Sequence, residues 1–302
     1  EARRLIAGLR ADDWNARDAR TTLALGMTSA ANPTAGAERN RTLLGGFARF
    51  ESDLAARPAT LYVGLGHVER FPDYWELISS GKEGAGSLSA FGTRPERTTQ
   101  LDTGMIWRSS RLAFSLSGFV NRVDDYILVQ SNYRKGMRTT TIVRNIDART
   151  WGGEADAALA LGSDWKLTGT LAYTRGENRT EKTALAQMPP LEARLASDWS
   201  HGAWSAGALL RVVAAQERYV LNQGNIVGQD IGPTAGFAVV SLNAGWRPRP
   251  GLQVTAGVDN LLDRSYAEHL SRAGAMVGGF LQTTRVQEPG RTLWVKLMAD
   301  LR

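Results

Sequence analysis

The side chains able to bind a metal or move a proton are few in this chain and far apart. Its three histidines, His67, His201 and His269, are widely separated, and it has no cysteine. A disulfide framework and a thiolate metal site are therefore excluded. The sequence holds no G-x-S-x-G, H-E-x-x-H or Walker motif, so the usual starting points for hydrolase, zinc-protease and nucleotide chemistry are missing. Gly64-x-Gly66 lacks a third glycine and a following helix, and reads as part of a strand. Asp124-Asp125 is a carboxylate pair only in sequence, because neighbours on a strand point to opposite faces. No catalytic constellation results, and the chain reads as a non-enzyme.

Charge adds one exclusion. The formal net charge is +6, and of 36 basic residues only five are lysine (Lys82, Lys135, Lys166, Lys182 and Lys296). The arginines are scattered along strands and loops, with no basic run and no RNA-binding signature. A nucleic-acid partner is therefore not expected.

The elements that must position any functional group are strands. In Leu252–Tyr266 (LQVTAGVDNLLDRSY), Leu252, Val254, Ala256 and Val258 alternate with polar or small residues before a polar exit at Asn260. The same period of two recurs in rows headed by Leu5, Leu44, Leu61, Leu101, Leu112, Trp165, Leu191, Trp204, Val240 and Leu293, with a further row at Leu23, Leu25 and Met27 and a long descent over Ile142–Leu161. No helix is expected, and no apolar run is long enough for a membrane-spanning one. Short turns, such as Asp53–Pro58, Ser109–Arg111 and Gly162–Asp164, alternate with long polar stretches, such as Ser29–Arg41, Phe71–Thr98, Ser131–Arg138, Gly176–Met188 and Gln216–Ala235. That asymmetry is the signature of an outer-membrane barrel. Trp107, Trp165, Tyr173, Trp199, Trp204 and Trp246 sit near strand ends, where amphipathic rings straddle hydrocarbon and headgroup.

The fold class expected is thus all-β, a transmembrane antiparallel β-barrel with lipid on the apolar strand faces and a wet lumen on the polar ones. The pattern gives about thirteen strands, each able to cross a bilayer at a tilt. The first and last then both run toward the short-turn side. An odd count cannot close, and open sheet edges cannot stand in lipid. Residues 1–302 are therefore expected to form one partial barrel domain.

Six motifs, in order, carry a family resemblance. They are Arg70-Phe71-Pro72 with Glu76-Leu77; Arg94-Pro95-Glu96 through Gly104; Asn121 with Asp125 and Ile127; Asn145 with Gly152 and Glu154; Gly257 through Asp263 with Tyr266; and Pro289-Gly290-Arg291. Together they make the chain resemble the C-terminal barrel part of TonB-dependent outer-membrane receptors. The stretch Tyr266–Gly274 with the Pro-Gly-Arg ending is most similar to the TonB-dependent copper receptors.

The resemblance implies the last strands of a barrel of about 22, plugged by an N-terminal domain. It also implies active import of a scarce nutrient across the outer membrane, driven by the TonB energy-coupling complex through a plug and TonB box upstream of Glu1. Copper is then the transported substrate and no resident cofactor is implied. Soft thioether and imidazole donors suit copper, so His269, Met276, Met137 and Met188, all in or beside predicted extracellular loops, are the candidate metal-contacting residues. A siderophore or cobalamin receptor of the same family, a passive porin-like barrel and a soluble β-rich binding protein remain the alternatives. Such barrels usually end on an aromatic residue. Here the outward row Leu297, Ala299, Leu301 places the next lipid-facing position beyond Arg302.

Overall fold

A computed structural model describes residues 2–26, 28–224, 228–271, 273, 276–277 and 280–300. Met27, Arg272, Gly274 and Leu301, used in the sequence reading, lie outside them. The chain builds one antiparallel wall of twelve long strands: β1 (Arg3–Arg17), β2 (Glu38–Asp53), β3 (Ala59–Arg70), β4 (Glu96–Arg108), β5 (Leu112–Lys135), β6 (Arg138–Leu161), β7 (Trp165–Asn178), β8 (Glu192–His201), β9 (Trp204–Val213), β10 (Phe237–Arg249), β11 (Leu252–Asp259) and β12 (Thr292–Ala299). Each strand pairs with its sequence neighbours, so every connection is a hairpin.

The count is twelve rather than thirteen. The row at Leu23 belongs to a four-residue strand, Thr22–Leu25, that pairs only with Thr28–Ala31. Four residues cannot span a bilayer, and Leu23 is buried rather than turned to lipid. As a result β1 runs away from the short-turn side and β12 runs toward it. An even count does not forbid closure as an odd one would, although no ladder joins β1 to β12 among the described residues. Ser131–Arg138, expected as a loop, is mostly strand: β5 and β6 continue to the two-residue turn Gly136-Met137. One helical turn, Tyr74–Leu77, also forms where none was expected.

The apolar rows stand on the outside of the wall. Leu116 is 53% exposed, Leu171 46% and Leu9 95%. The register joins them into continuous bands, with Leu65, Leu101, Val120 and Trp151 on successive strands in one rung. Polar groups occupy the other face, including Glu154, Lys166, Glu192 and Arg211. At the short-turn end Trp165 pairs with Trp199, Trp204 with Trp246, and Trp107 with Phe114. Trp151 and Tyr173 mark a second aromatic level higher on the wall. The two levels are about ten residues apart along β6, ~33 Å of strand, or ~25 Å of height once tilted. That is the height of a lipid-facing band.

The wall holds almost no buried apolar residue. The core lies instead at the long-loop end, around Val123, Leu128, Ile146 and Leu185, around Leu43, Phe71, Leu77 and Phe91, and around Val213, Phe237 and Val239. Close strand approach explains one motif residue: a Cβ on Gly152 would sit on the backbone oxygen of Tyr173 in β7.

Lipid on the outer face makes a sign-specific prediction. Leu116→Arg or Leu171→Arg, near the middle of the band, destabilises the folded barrel by ~2–4 kcal/mol. Ser117→Arg or Thr170→Arg, on the lumen face beside them, stays within about 0.5 kcal/mol. Reversible unfolding in phospholipid vesicles measures both. Equal losses on the two faces would show that protein, not lipid, covers the apolar rows.

Candidate functional site: the extracellular vestibule

The β5–β6 hairpin rises above the wall and organises the loops around it. Residues 82–84 add a parallel strand to the edge of β6, and residues 223–224 add an antiparallel one to the edge of β5. These partners are exchanged relative to the wall. The 71–95 loop leaves beside β4, the neighbour of β5, yet pairs with β6. The 214–236 loop comes from beyond β7, yet pairs with β5. The hairpin has therefore turned over about its own axis. Its ladder shifts register between Val123 and Tyr126 and between Gln130 and Tyr133, and such bulges increase local twist. Ile127, Leu128, Val129, Ile142 and Val143 are buried, so both faces of the hairpin are covered.

Charged clamps fix this arrangement. Asp125 takes a positive φ of 61° at the first bulge. Its carboxylate accepts from Arg94 Nε at 2.8 Å and Arg97 Nη2 at 3.0 Å. Asn145 Nδ2 donates to the carbonyls of Arg94 and Asp125, and its Oδ1 accepts from Arg94 N–H. Arg70 reaches Glu76 at 2.8 Å and also pairs with Glu96, whose other oxygen accepts Ile127 N–H at 3.1 Å. Four of the six motifs are thus parts of loop clamps.

Two further carboxylates had no signal in the sequence beyond lying in or beside polar loops. Buried Glu83 accepts from Arg138 Nη2 at 2.7 Å, Thr140 Oγ1 at 2.8 Å and Lys135 Nζ at 3.1 Å. The Arg138 bonds chiefly hold its pKa down to about 2, with Thr140 and Lys135 adding to them against the cost of burial. Fully buried Asp18 accepts from Arg20, Asn32 and Thr34, and the Arg20 bonds chiefly hold it well below the usual carboxylate range. The Ser89 hydroxyl lies 2.7 Å from Thr34 Oγ1, which accepts its hydrogen bond, tying the turn after the Thr22–Ala31 hairpin to the 71–95 loop.

Between these loops lies a cavity of about 740 Å³. It is lined by Leu25, Gly81, Glu83, Ser131, Asn132, Arg138, Thr140, Asn222, Gln229 and Gln282 among others. Among the described lining residues the charged side chains are Glu83 and Arg138, which pair with each other while Lys135 also binds Glu83, and the other polar groups are neutral.

The four predicted metal-contacting residues are not brought together. Met137 is fully exposed at the hairpin tip, next to the cavity-lining Arg138. Met188 packs on the cluster of Val123, Leu128 and Leu185, and its carbonyl accepts from Gln216. His269 is buried: its Nδ1 lies 2.8 Å from Thr234 Oγ1 and its Nε2 3.4 Å from Asp230. Met276 is described through its backbone alone, in a two-residue strand that pairs with Phe280–Leu281. Among the described residues no group of three or more His, Cys, Asp or Glu is placed to hold a metal ion.

An amphipathic antiparallel wall with two aromatic levels, tight turns at one end and interlocked loops at the other defines an outer-membrane β-barrel of the receptor type. The chain belongs to the TonB-dependent receptor family: the family model described as "TonB dependent receptor-like, beta-barrel" matches residues 4–261. The resemblance carried by the six motifs is thereby borne out, as is the outer-membrane location. Among solved structures, the chain is similar to the copper transporter OprC, with 48% identity and a TM-score of 0.91 over 98% of this chain and 46% of that one. It shares the fold of the ferric enterobactin receptor PfeA of Pseudomonas aeruginosa (17% identity, TM-score 0.68, 98% and 51% of the two chains). It also shares that of the FrpB iron transporter of Neisseria meningitidis (17%, 0.70, 98% and 42%). The chain therefore spans about half the length of these structures. No curated protein matches it. The family and these neighbours are receptors and transporters.

The Glu83 clamp predicts a pH dependence. A carboxylate depressed from 4.5 to about 2 adds stability that is present above pH ~4.5 and lost as pH falls toward ~2. Glu83→Gln removes ~3 kcal/mol from the hairpin's attachment at pH 7. Hydrogen exchange of residues 82–84 and 138–143 rises accordingly, and the difference from wild type vanishes as pH approaches 2. A difference that persists at pH 2 would show that the carboxylate's charge is not what holds the hairpin.

Proposed function

We propose that the receptor containing this chain imports copper across the outer membrane by TonB-coupled active transport, without chemistry on the substrate. The observation that carries this reading is the contrast in identity. The chain is 48% identical to a copper transporter over nearly its whole length, but 17% identical to receptors for ferric siderophores that share its fold. The vestibule agrees with that contrast. Among the described residues that line it, Arg138 is the one arginine, and it is paired with Glu83, which leaves no surplus of lining arginines to hold a polyanionic ferric chelate.

The 302 residues act in this reading as one partial barrel domain. Other segments of the receptor supply the plug and TonB box that engage the energy-coupling complex. The share of the neighbouring structures that the chain covers, 46% of OprC and 51% of PfeA, supports it. Of the soft donors, Met137 and Met276 are the proposed contacts for incoming copper: both belong to the extracellular side, and Met137 is fully exposed at its hairpin tip. In the closed arrangement Met188 and His269 hold loops together. They can meet the metal only if the loops at Gln187, Thr234 and Arg285 shift.

The test is radiocopper uptake in cells carrying or lacking the intact receptor gene, at limiting copper and with a protonophore control. Uptake is expected to fall on deletion and on collapse of the proton gradient. Met137→Ala lowers it at limiting copper by roughly fivefold if the contact is worth ~1 kcal/mol. Unchanged copper uptake with loss of a ferric siderophore or cobalamin overturns the copper assignment. Uptake indifferent to the protonophore makes the barrel a passive pore.

A further inference from the structure

The outer surface just above the upper aromatic level carries charge where the lipid band ends. Trp151 faces outward there, flanked by the guanidinium groups of Arg149 and Arg175 at 5.7 and 5.6 Å from its ring. The next outward rung joins Arg122 of β5 to Arg149 of β6. Arg179, just past the end of β7, follows: its N–H donates to the Asp147 carbonyl at 2.7 Å. Arg122, Arg149 and Arg179 line a cavity of about 380 Å³ here, with Asp124, Asp147 and Ala148. All three arginines are exposed, while Ile146 and Ala148, their alternates on β6, are buried on the inner side.

The two carboxylates do not consume the three cations. Asp124 accepts from Arg122 Nε at 2.9 Å, and Asp147 Oδ1 takes the Asp125 N–H. Among the described residues Arg149 and Arg179 form no ion pair, although Glu177 is the cross-strand neighbour of Arg149. Arg70, Arg94, Arg97 and Arg138, also on the long-loop side, are each paired with a carboxylate. Two guanidinium groups without an ion pair, in a cleft whose three arginines outnumber its two lining carboxylates by one, thus face the zone directly above a lipid-facing aromatic ring.

We propose that this cleft binds a phosphate of lipid A, the phosphorylated glycolipid of the outer leaflet, with acyl chains running down the face formed by Val120, Trp151 and Tyr173. Three chemical features favour this occupant. Planar guanidinium forks match phosphate oxygens bidentately. The cleft lies ~25 Å above the tryptophans of the short-turn end, at the depth of the outer-leaflet headgroups. The surface below it is apolar and aromatic, as acyl chains require, and a soluble anion would gain nothing from it. The inference rests on the outer-membrane location and not on the identity of the imported nutrient.

The test uses the intact receptor purified in detergent, with retained lipid read by native mass spectrometry and affinity measured by titrating bisphosphorylated lipid A. Arg122→Ala/Arg149→Ala/Arg179→Ala is expected to weaken binding at least about tenfold, the loss expected when charge-assisted phosphate contacts are removed. Removing both phosphates from the lipid weakens wild type to the same level. Arg247→Ala, an exposed arginine at the opposite end of the barrel, leaves affinity unchanged. Heat-modifiable electrophoretic mobility confirms that each variant is folded. Equal affinity of wild type and triple variant, or of phosphorylated and dephosphorylated lipid, overturns the proposal. Tighter binding of phosphatidylglycerol than of lipid A likewise overturns it, by making the cleft a general anionic-lipid site. Copper uptake is a separate readout, so failure here leaves the transport reading untouched.

Discussion

Hydrocarbon offers no partner to a peptide N–H or C=O, and this one constraint shapes the wall. Every backbone group must be paired between strands, so the chain can only go up and down with each strand beside the next. The register then fixes which side chains meet lipid: a slip of one residue would turn each apolar row inward. The alternation is therefore strict over the ~25 Å band and relaxes above it. Leu116, Leu171 and Leu195 remain exposed because their solvent is lipid.

Above the band water returns and the controlling physics changes. Strands are free to bulge there, since a displaced carbonyl can find another donor. Asp125 uses this freedom: its left-handed backbone shifts the ladder, and its carboxylate gathers two arginines. Long loops are costly to order, and the clamps at Asp18, Glu83, Arg70 and Asp125 offset that cost with charge-assisted bonds from buried or half-buried positions. The apolar core follows the same division. It sits among the loops and the upper strand ends, where burial from water yields free energy, and is nearly absent from the lipid-facing band, where it would yield none.

What the sequence made legible follows the same boundary. Period-two alternation located the wall strands and their apolar faces, because lipid leaves so little freedom. It failed at Leu23, where a short apolar row served a loop hairpin rather than the wall, and that single row changed the parity of the count. The family motifs were visible as spacings, but their roles were not. Arg94, Asp125 and Asn145 lie far apart in sequence and meet only because β5 bulges beside β6. Glu83 had no local signature at all, since its partners Lys135, Arg138 and Thr140 come from a hairpin some fifty residues away. The candidate metal residues were chosen by chemistry and loop position. That choice found an exposed group in Met137 but could not show that His269 is enclosed by Thr234 and Asp230.

The crossed partners of the β5–β6 hairpin bear on how such receptors diversify. Two loops that begin on opposite sides of the hairpin each end on the strand farther from their origin, so neither can be modified as an independent cassette. A new 71–95 segment must present an edge that β6 accepts, and a new 214–236 segment must do the same for β5. Recognition surfaces built this way change as a braided set. A transplanted loop carries its chemistry to another receptor only when the hairpin that threads it travels too.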